Sequence, residues 1–457
     1  MLFSFFLGFA FCGLPIGTSC NKDNREFVCG DYLICSEKHN FTCQYCNSDA
    51  ECHENEIHFY CRFNSKWDNY TCHYEPLIHK WDKKLIIGMV CTFFAGVFVS
   101  GAGIGGGGLF VPIMMLIVGF PGEYCIPTSK ALIFGGSLAV TLFNLNKKHP
   151  YYDRPLINYN VASIIEPISW LGTILGVIFN SVIPDWLLYL IQFILLAYTA
   201  WATFKKGLKD MRKAKELGYE GPLTPGPYES PDGKAFSVWI LVLLFIIWGI
   251  FLAISFLRGG DGADSIIGVE FCSWQYWLLT FGPFPIYALI NVWMIMIARK
   301  YPVVGPKADL GFKSVGLLML SGFIAGIAAG FLGIGGGMIK GPMMLALDIE
   351  GEEMAATSSF MILLTSSATS FQYIAEGIMP FAEFGIYTAT GFVSFLVGII
   401  FLRWLVKKMG NRSLFLFFLA AIIAISAVLM SVVGVIKVIR GIKAHISMGF
   451  RSFCLSA

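Results

Sequence analysis

Twelve apolar runs, at about 85–101, 109–119, 128–146, 159–181, 185–204, 236–257, 274–298, 314–332, 338–347, 354–375, 381–405 and 413–436, take up most of the 457 residues. About 20 helical residues cross the hydrocarbon core of a bilayer, where each backbone N–H and C=O must be satisfied within the segment. Most of the runs are long enough, so the chain is expected to be an all-α polytopic membrane protein. Charge is sparse to match: 14% of residues, against roughly 25% in soluble domains. That excludes an ordinary soluble enzyme. The net charge of +3 argues against a nucleic-acid partner. With no nucleophile–base pair or metal motif at membrane depth, neither catalysis nor a cofactor is expected.

Charge that does occur is concentrated, with 19 of the 63 formal charges in 20–84 and 12 in 205–234. Met1–Ser19 is uncharged, apolar and ends in small residues, and reads as a signal peptide; an uncleaved anchor is the competing reading. Behind it, 20–84 carries eight of the thirteen cysteines, Cys20, Cys29, Cys35, Cys43, Cys46, Cys52, Cys61 and Cys72. An even count at that density in a segment too small for its own core implies up to four disulfides in an oxidising compartment, with connectivity open. Zinc on Cys43, Cys46, Cys52, His53 and His58 is the alternative. Sequons at Asn40 and Asn69 favour a glycosylated, lumenal or extracellular face.

Lys and Arg crowd 205–215 and 299–313, which places both connections in the cytoplasm. The connection 259–273 has acidic residues but no Lys or Arg before Ser273 and is expected outside. These signs divide the chain into a first transmembrane repeat at 85–204, a basic cytoplasmic loop at 205–235, two linking helices with a cytoplasmic loop at 236–313, a second repeat at 314–436 and a tail at 437–457. The last helix is basic at both ends, which leaves the side of the C-terminus open.

The repeat itself rests on two glycine clusters. Gly103-Ile104-Gly105-Gly106-Gly107 recurs at an offset of 230 as Gly333-Ile334-Gly335-Gly336-Gly337, followed in both copies by proline (Pro112, Pro342) and methionine (Met114, Met344). Each cluster precedes a run of only ten or eleven residues, the mark of a broken or re-entrant helix in a repeat-built transporter. If the halves start on opposite sides, an in-plane pseudo-two-fold relates them and the breaks meet near the bilayer centre. Residues 101–106 also fit G-x-G-x-x-G, but no strand precedes them and the second copy does not keep the pattern. Proline is tolerated near a helix start. Helix N-termini therefore face the breaks, and their N–H groups and dipoles favour an anion. Close helix packing is the competing account of the glycines.

Lys340, three residues past Gly337, is the leading residue for charge recognition; snorkelling to the interface is its alternative. Thr128, Ser129, Ser358 and Ser359 offer hydroxyls for the same ligand or for helix capping. Glu166, inside an apolar run, is a candidate for proton coupling or for a structural pair. Asn144, Asn291 and Gln372 suit interhelical hydrogen bonds.

These residues, Gly103–Gly107 with Pro112 and Thr128-Ser129 and Gly333–Gly337 with Pro342 and Thr357-Ser358-Ser359, resemble the sulfite exporter TauE/SafE family of membrane permeases over about 85–436. The resemblance implies transport of sulfite, organosulfonates or related small sulfur oxyanions across a membrane. The multi-pass chain is expected in the plasma membrane or a secretory-pathway organelle membrane. A membrane-anchored receptor or scaffold acting through the Cys-rich segment is the rival from another class.

Overall fold

The computed structural model describes residues 34–36, 42–48, 59–64 and 69–74 and, from 83 to 443, all but 102, 104, 121, 150–153, 217–237, 261–264, 299–311, 347–348, 350, 376–377 and 410–411. The signal peptide, the sequon at Asn40, and Cys20, Cys29 and Cys52 lie outside the described residues. The chain divides into two compact units, Met1–Asp82 with Ser181–Leu187 and Val432–Ala457, and Lys83–Asn180 with Leu188–Ser431.

In the first unit, strands β1 (Ile34–Ser36) and β2 (Thr42–Gln44) pair antiparallel, as do β3 (Phe59–Asn64) and β4 (Asn69–Tyr74). The register sets Cys35 opposite Cys43 and Cys61 opposite Cys72. The disulfide of Cys61 nevertheless goes to Cys46, on the connection after β2. That leaves Cys46 no thiolate to offer zinc. Asn69, of the second sequon, is exposed.

The second unit is helical, and the end of α4, the start of α5 and the end of α13 belong to the first. The helices are α1 (Lys83–Val99), α2 (Gly107–Ile113, running on as one π-turn segment over Met114–Val118), α3 (Gly122–Asn144), α4 (Tyr159–Val182), α5 (Asp185–Glu216), α6 (Val238–Arg258), α7 (Trp274–Phe281), α8 (Pro283–Ala298), α9 (Phe312–Leu332), α10 (Gly337–Ala346), α11 (Gly351–Ala375), α12 (Phe381–Met409) and α13 (Arg412–Lys443). Among the described residues seven spans are long and apolar enough to cross a membrane. Two expectations shift. The basic stretch 205–216 is not loop but the last turns of α5. The run 274–298 is two helices, because Pro283 has no N–H to continue the first; Ser273 caps the start, accepting from Tyr276 N at 3.3 Å. Cys272, at the turn before that cap, is also disulfide-bonded, a cysteine that the count over 20–84 leaves out.

Small residues decide the packing, since lipid offers no hydrophobic reward for helix contact and close backbone approach must supply it. On α4 and α9 a Cβ at Gly172 would meet the Phe323 carbonyl, at Gly326 the Ser169 carbonyl and at Gly330 the Thr173 carbonyl. On α1 and α12 Gly96 abuts Ser394 and Gly398 abuts the Val97 carbonyl. On α3 and α12 Gly135 meets the Thr388 carbonyl and Gly391 the Leu132 carbonyl. The α3 and α11 helices run antiparallel: Phe134 rings with Phe371, while Arg154, beyond the end of α3, pairs with Glu353 in the first turn of α11.

Candidate anion site

Both glycine clusters interrupt helices, the first between α1 and α2, the second between α9 and α10. The first turns sharply, with φ of +63° at Gly103, +88° at Gly105 and +82° at Gly106; in the second only Gly333, at +66°, is left-handed. Such values are open to glycine at no steric cost. After each turn a helix starts: Leu109 and Phe110 amides bond the Gly106 carbonyl, and those of Ile339 and Lys340 bond the Gly336 carbonyl.

The two breaks touch. A Cβ on Gly105 would lie 2.9 Å from the Gly335 Cα, one on Gly107 would collide with the Gly333 carbonyl, and one on Gly337 with the Gly103 carbonyl. The contact is reciprocal in its hydrogen bonds as well. Ser129 donates to the Gly333 carbonyl at 3.3 Å, and Ser358 donates to the Gly103 carbonyl at 2.5 Å. Both hydroxyls are thus engaged by backbone in this conformation. Ser359 donates to Ala355 O within its own helix, at 2.7 Å, and Thr128 is buried.

The charged centre lies beside the second break. Lys340 and Glu166, both 0% exposed, form an ion pair, so the lysine lines the interior and does not snorkel. Thr365 closes a triangle: its hydroxyl takes a hydrogen bond from Lys340 Nζ at 3.0 Å and donates to Glu166 Oε2 at 2.9 Å. The three side chains come from α10, α4 and α11. A charge buried this deeply persists only when paired.

A second buried lysine joins them. Lys130 Nζ donates to the Ile334 carbonyl at 3.2 Å, within the second break, and feels the charge of Lys340. Lysines from α3 and α10 are therefore both buried at the second break. Sequence reasoning passes over Lys130, although it follows Thr128-Ser129 inside an apolar run and meets the depth criterion that singles out Lys340.

A further polar cluster ties the segment after α3 to the start of α11. Arg154 grips Glu353 with two bonds, at 2.7 and 2.9 Å; Asn158 Nδ2 donates to Glu353 Oε1 at 2.8 Å, and the Asn158 amide donates to Thr357 Oγ1 at 2.9 Å. Of the three amides assigned to interhelical bonding, Asn291 fits, donating to Ile164 O at 3.1 Å. Asn144 accepts from Lys147, and Gln372 is buried with neither side-chain atom hydrogen-bonded.

A multi-pass helical membrane protein whose core joins two interrupted helices at a buried charged cluster has the build of a secondary transporter. The chain matches the family described as sulfite exporter TauE/SafE over residues 88–260 and 271–446, and it belongs to that family. Sulfite exporter TauE/SafE family protein 3 of Arabidopsis thaliana is 30% identical over 446 residues, 89% of this chain and 91% of its own. Family protein 1 of the same plant is 31% identical over 395 residues, 81% and 88% of the two chains. The probable membrane transporter protein YunE of Bacillus subtilis (strain 168) is 32% identical over 108 residues, 23% of this chain and 36% of its own. No solved structure matches.

Proposed function

We propose that this protein carries small sulfur oxyanions, sulfite, an organosulfonate or similar, through a site beside the paired glycine breaks. The observation that carries the reading is that two buried lysines meet at the second glycine break, Lys130 through the Ile334 carbonyl and Lys340 through its ion pair with Glu166. Lysines at such depth line a cavity or pair with anions. The glycines of both breaks keep side chains away, so that main-chain groups and lysines together can meet a small anion.

The two halves are read as inverted repeats. Their corresponding helices α3 and α11 lie antiparallel, and α1 packs on α12 as α9 packs on α4, the first helix of each half against a later helix of the other. With the N-terminal segment outside, Lys147, Lys148, Arg154 and the first turn of α11 face the cytoplasm. An inside-negative potential of 100 mV favours exit of a monoanion by about 2.3 kcal/mol.

Flux of sulfite and of methanesulfonate in proteoliposomes tests the proposal. The intact protein is expected to carry at least one of them and Lys340→Ala neither; undiminished flux in Lys340→Ala would remove the site.

A further inference from the structure

Glu166 sits where an anionic guest would have to sit. It receives the ammonium of Lys340 and the hydroxyl of Thr365, the two donors best placed to hold an oxyanion, and water does not reach it. From the transport reading above, we infer that Glu166 is the resident anion of the site, displaced by substrate only when it is protonated, and that the protein is therefore an electroneutral proton–monoanion symporter.

The charge balance is simple. Lys340 and ionised Glu166 together carry no net charge. A proton from the aqueous side adds to a Glu166 oxygen and gives a neutral carboxyl; Lys340 remains an ammonium, and one monoanion takes the vacated countercharge. The total is again zero, so the occupied and empty sites have equal net charge and can interconvert inside lipid. Neither half-step does: a proton without an anion, or an anion without a proton, changes the buried charge by one.

The groups facing Glu166 bear on the exchange. Lys340 on α10 and Thr365 on α11 touch it, Trp170 of its own helix faces it, and Lys130 on α3 is a charge beside Lys340. Own-helix Ser169 is turned to the Gly322 carbonyl of α9, and Asn291 of α8 bonds Ile164 O, two residues before Glu166. The other buried Arg, His and Glu side chains described, Arg258, His149, Glu353 and Glu383, sit at helix ends or in connections; of the buried tyrosines, Tyr373 donates to the Gly330 carbonyl and Tyr287 to the Ile247 carbonyl.

Methanesulfonate is the probe, because it stays a monoanion over the pH range used. Proteoliposomes holding the full chain receive equal methanesulfonate on both sides and a pH step of one unit. Coupled transport is expected to accumulate the anion about tenfold on the alkaline side, since each tenfold ratio of protons balances one of anions. A potassium–valinomycin potential should leave that ratio unchanged. Glu166→Gln, uncharged and unable to bind the proton, keeps the wild-type charge only when occupied, and is expected to exchange labelled for unlabelled methanesulfonate across the membrane but to accumulate nothing from the pH step. Wild-type flux that ignores the pH step, or that follows the valinomycin potential, refutes this inference and leaves the transport reading standing. A wild type that moves neither sulfite nor methanesulfonate refutes both. The wild-type measurements decide the matter even if Glu166→Gln does not fold.

Discussion

Replacing Lys340 with methionine keeps the volume and removes the charge, leaving the buried Glu166 carboxyl beside Thr365 with no cation, so that it must either stay ionised at high cost or take up a proton. Removing one member of a buried ion pair costs about 3–5 kcal/mol, because the survivor stays desolvated and uncompensated. Replacing both members with apolar residues of similar volume is commonly neutral or stabilising by about 1–4 kcal/mol. Lys340→Met and Glu166→Leu should therefore each destabilise strongly, while the double variant recovers most of the loss, giving a coupling of about 3 kcal/mol or more. Denaturant titration of the purified protein in detergent micelles, run as a double-mutant cycle, reads this directly. Effects that add to within about 0.5 kcal/mol would mean that the two side chains do not interact, and the site would have to be sought elsewhere. The same cycle separates folding from flux, since the double variant is expected to fold and carry nothing.

Lys130→Met should leave the fold intact and weaken anion recognition, with KM for the transported anion rising about tenfold or more, the worth of a charged hydrogen bond; proteoliposome kinetics read it. Gly391→Ala drives a methyl group into the Leu132 carbonyl, a neighbour that cannot rotate away, and is expected to cost about 1–3 kcal/mol in the same denaturant titration. Glu353→Gln releases the two-bonded grip of Arg154, so amide exchange over 147–158 should quicken while α4 and α9 stay protected.

Much of this was legible in one sequence, because membrane burial translates simply into composition. Apolar runs foretell spans, and the offset of 230 foretells that the breaks come as a pair. Lys340 and Glu166 stand out for the same reason, as charges where charge is expensive. Their pairing with each other was not legible: they are 174 positions apart, and each alone is equally compatible with a structural partner. The hydroxyls show the limit of a ligand-centred reading, since Ser129 and Ser358 serve the opposite break's carbonyls. A backbone carbonyl leaves no trace in sequence. The extension of α5 to Glu216 was missed because hydropathy falls at the membrane edge while helix propensity does not.

The offset that relates the halves also exposes where they differ. Lys130 corresponds to Phe360 and Lys340 to Phe110, so each cation has a buried aromatic ring as its counterpart. Both lysines serve the second break, one through Ile334 O and the other from the helix that follows it, whereas the Phe110 ring lies against Gly106 of the first. The glycines divide in the same way. Gly105 and Gly106 are held at positive φ, and a Cβ at Gly107 has the Gly333 carbonyl in its path; a Cβ at Gly336 meets nothing closer than 3.4 Å, with Lys340 Cε at 3.5 Å. Gly337 of the second break is wedged against the Gly103 carbonyl just as Gly107 is against Gly333, so the room in the second break is at Gly336, beside Lys340. Gly107→Ala should misfold or lose about 1–3 kcal/mol, while Gly336→Ala should fold normally and alter anion flux through its contact with the Lys340 stem. Thermal melting in detergent together with flux in proteoliposomes separates the two. Equal loss of stability in both variants would mean that the breaks are equivalent packing joints and that the lysines' placement carries no functional meaning.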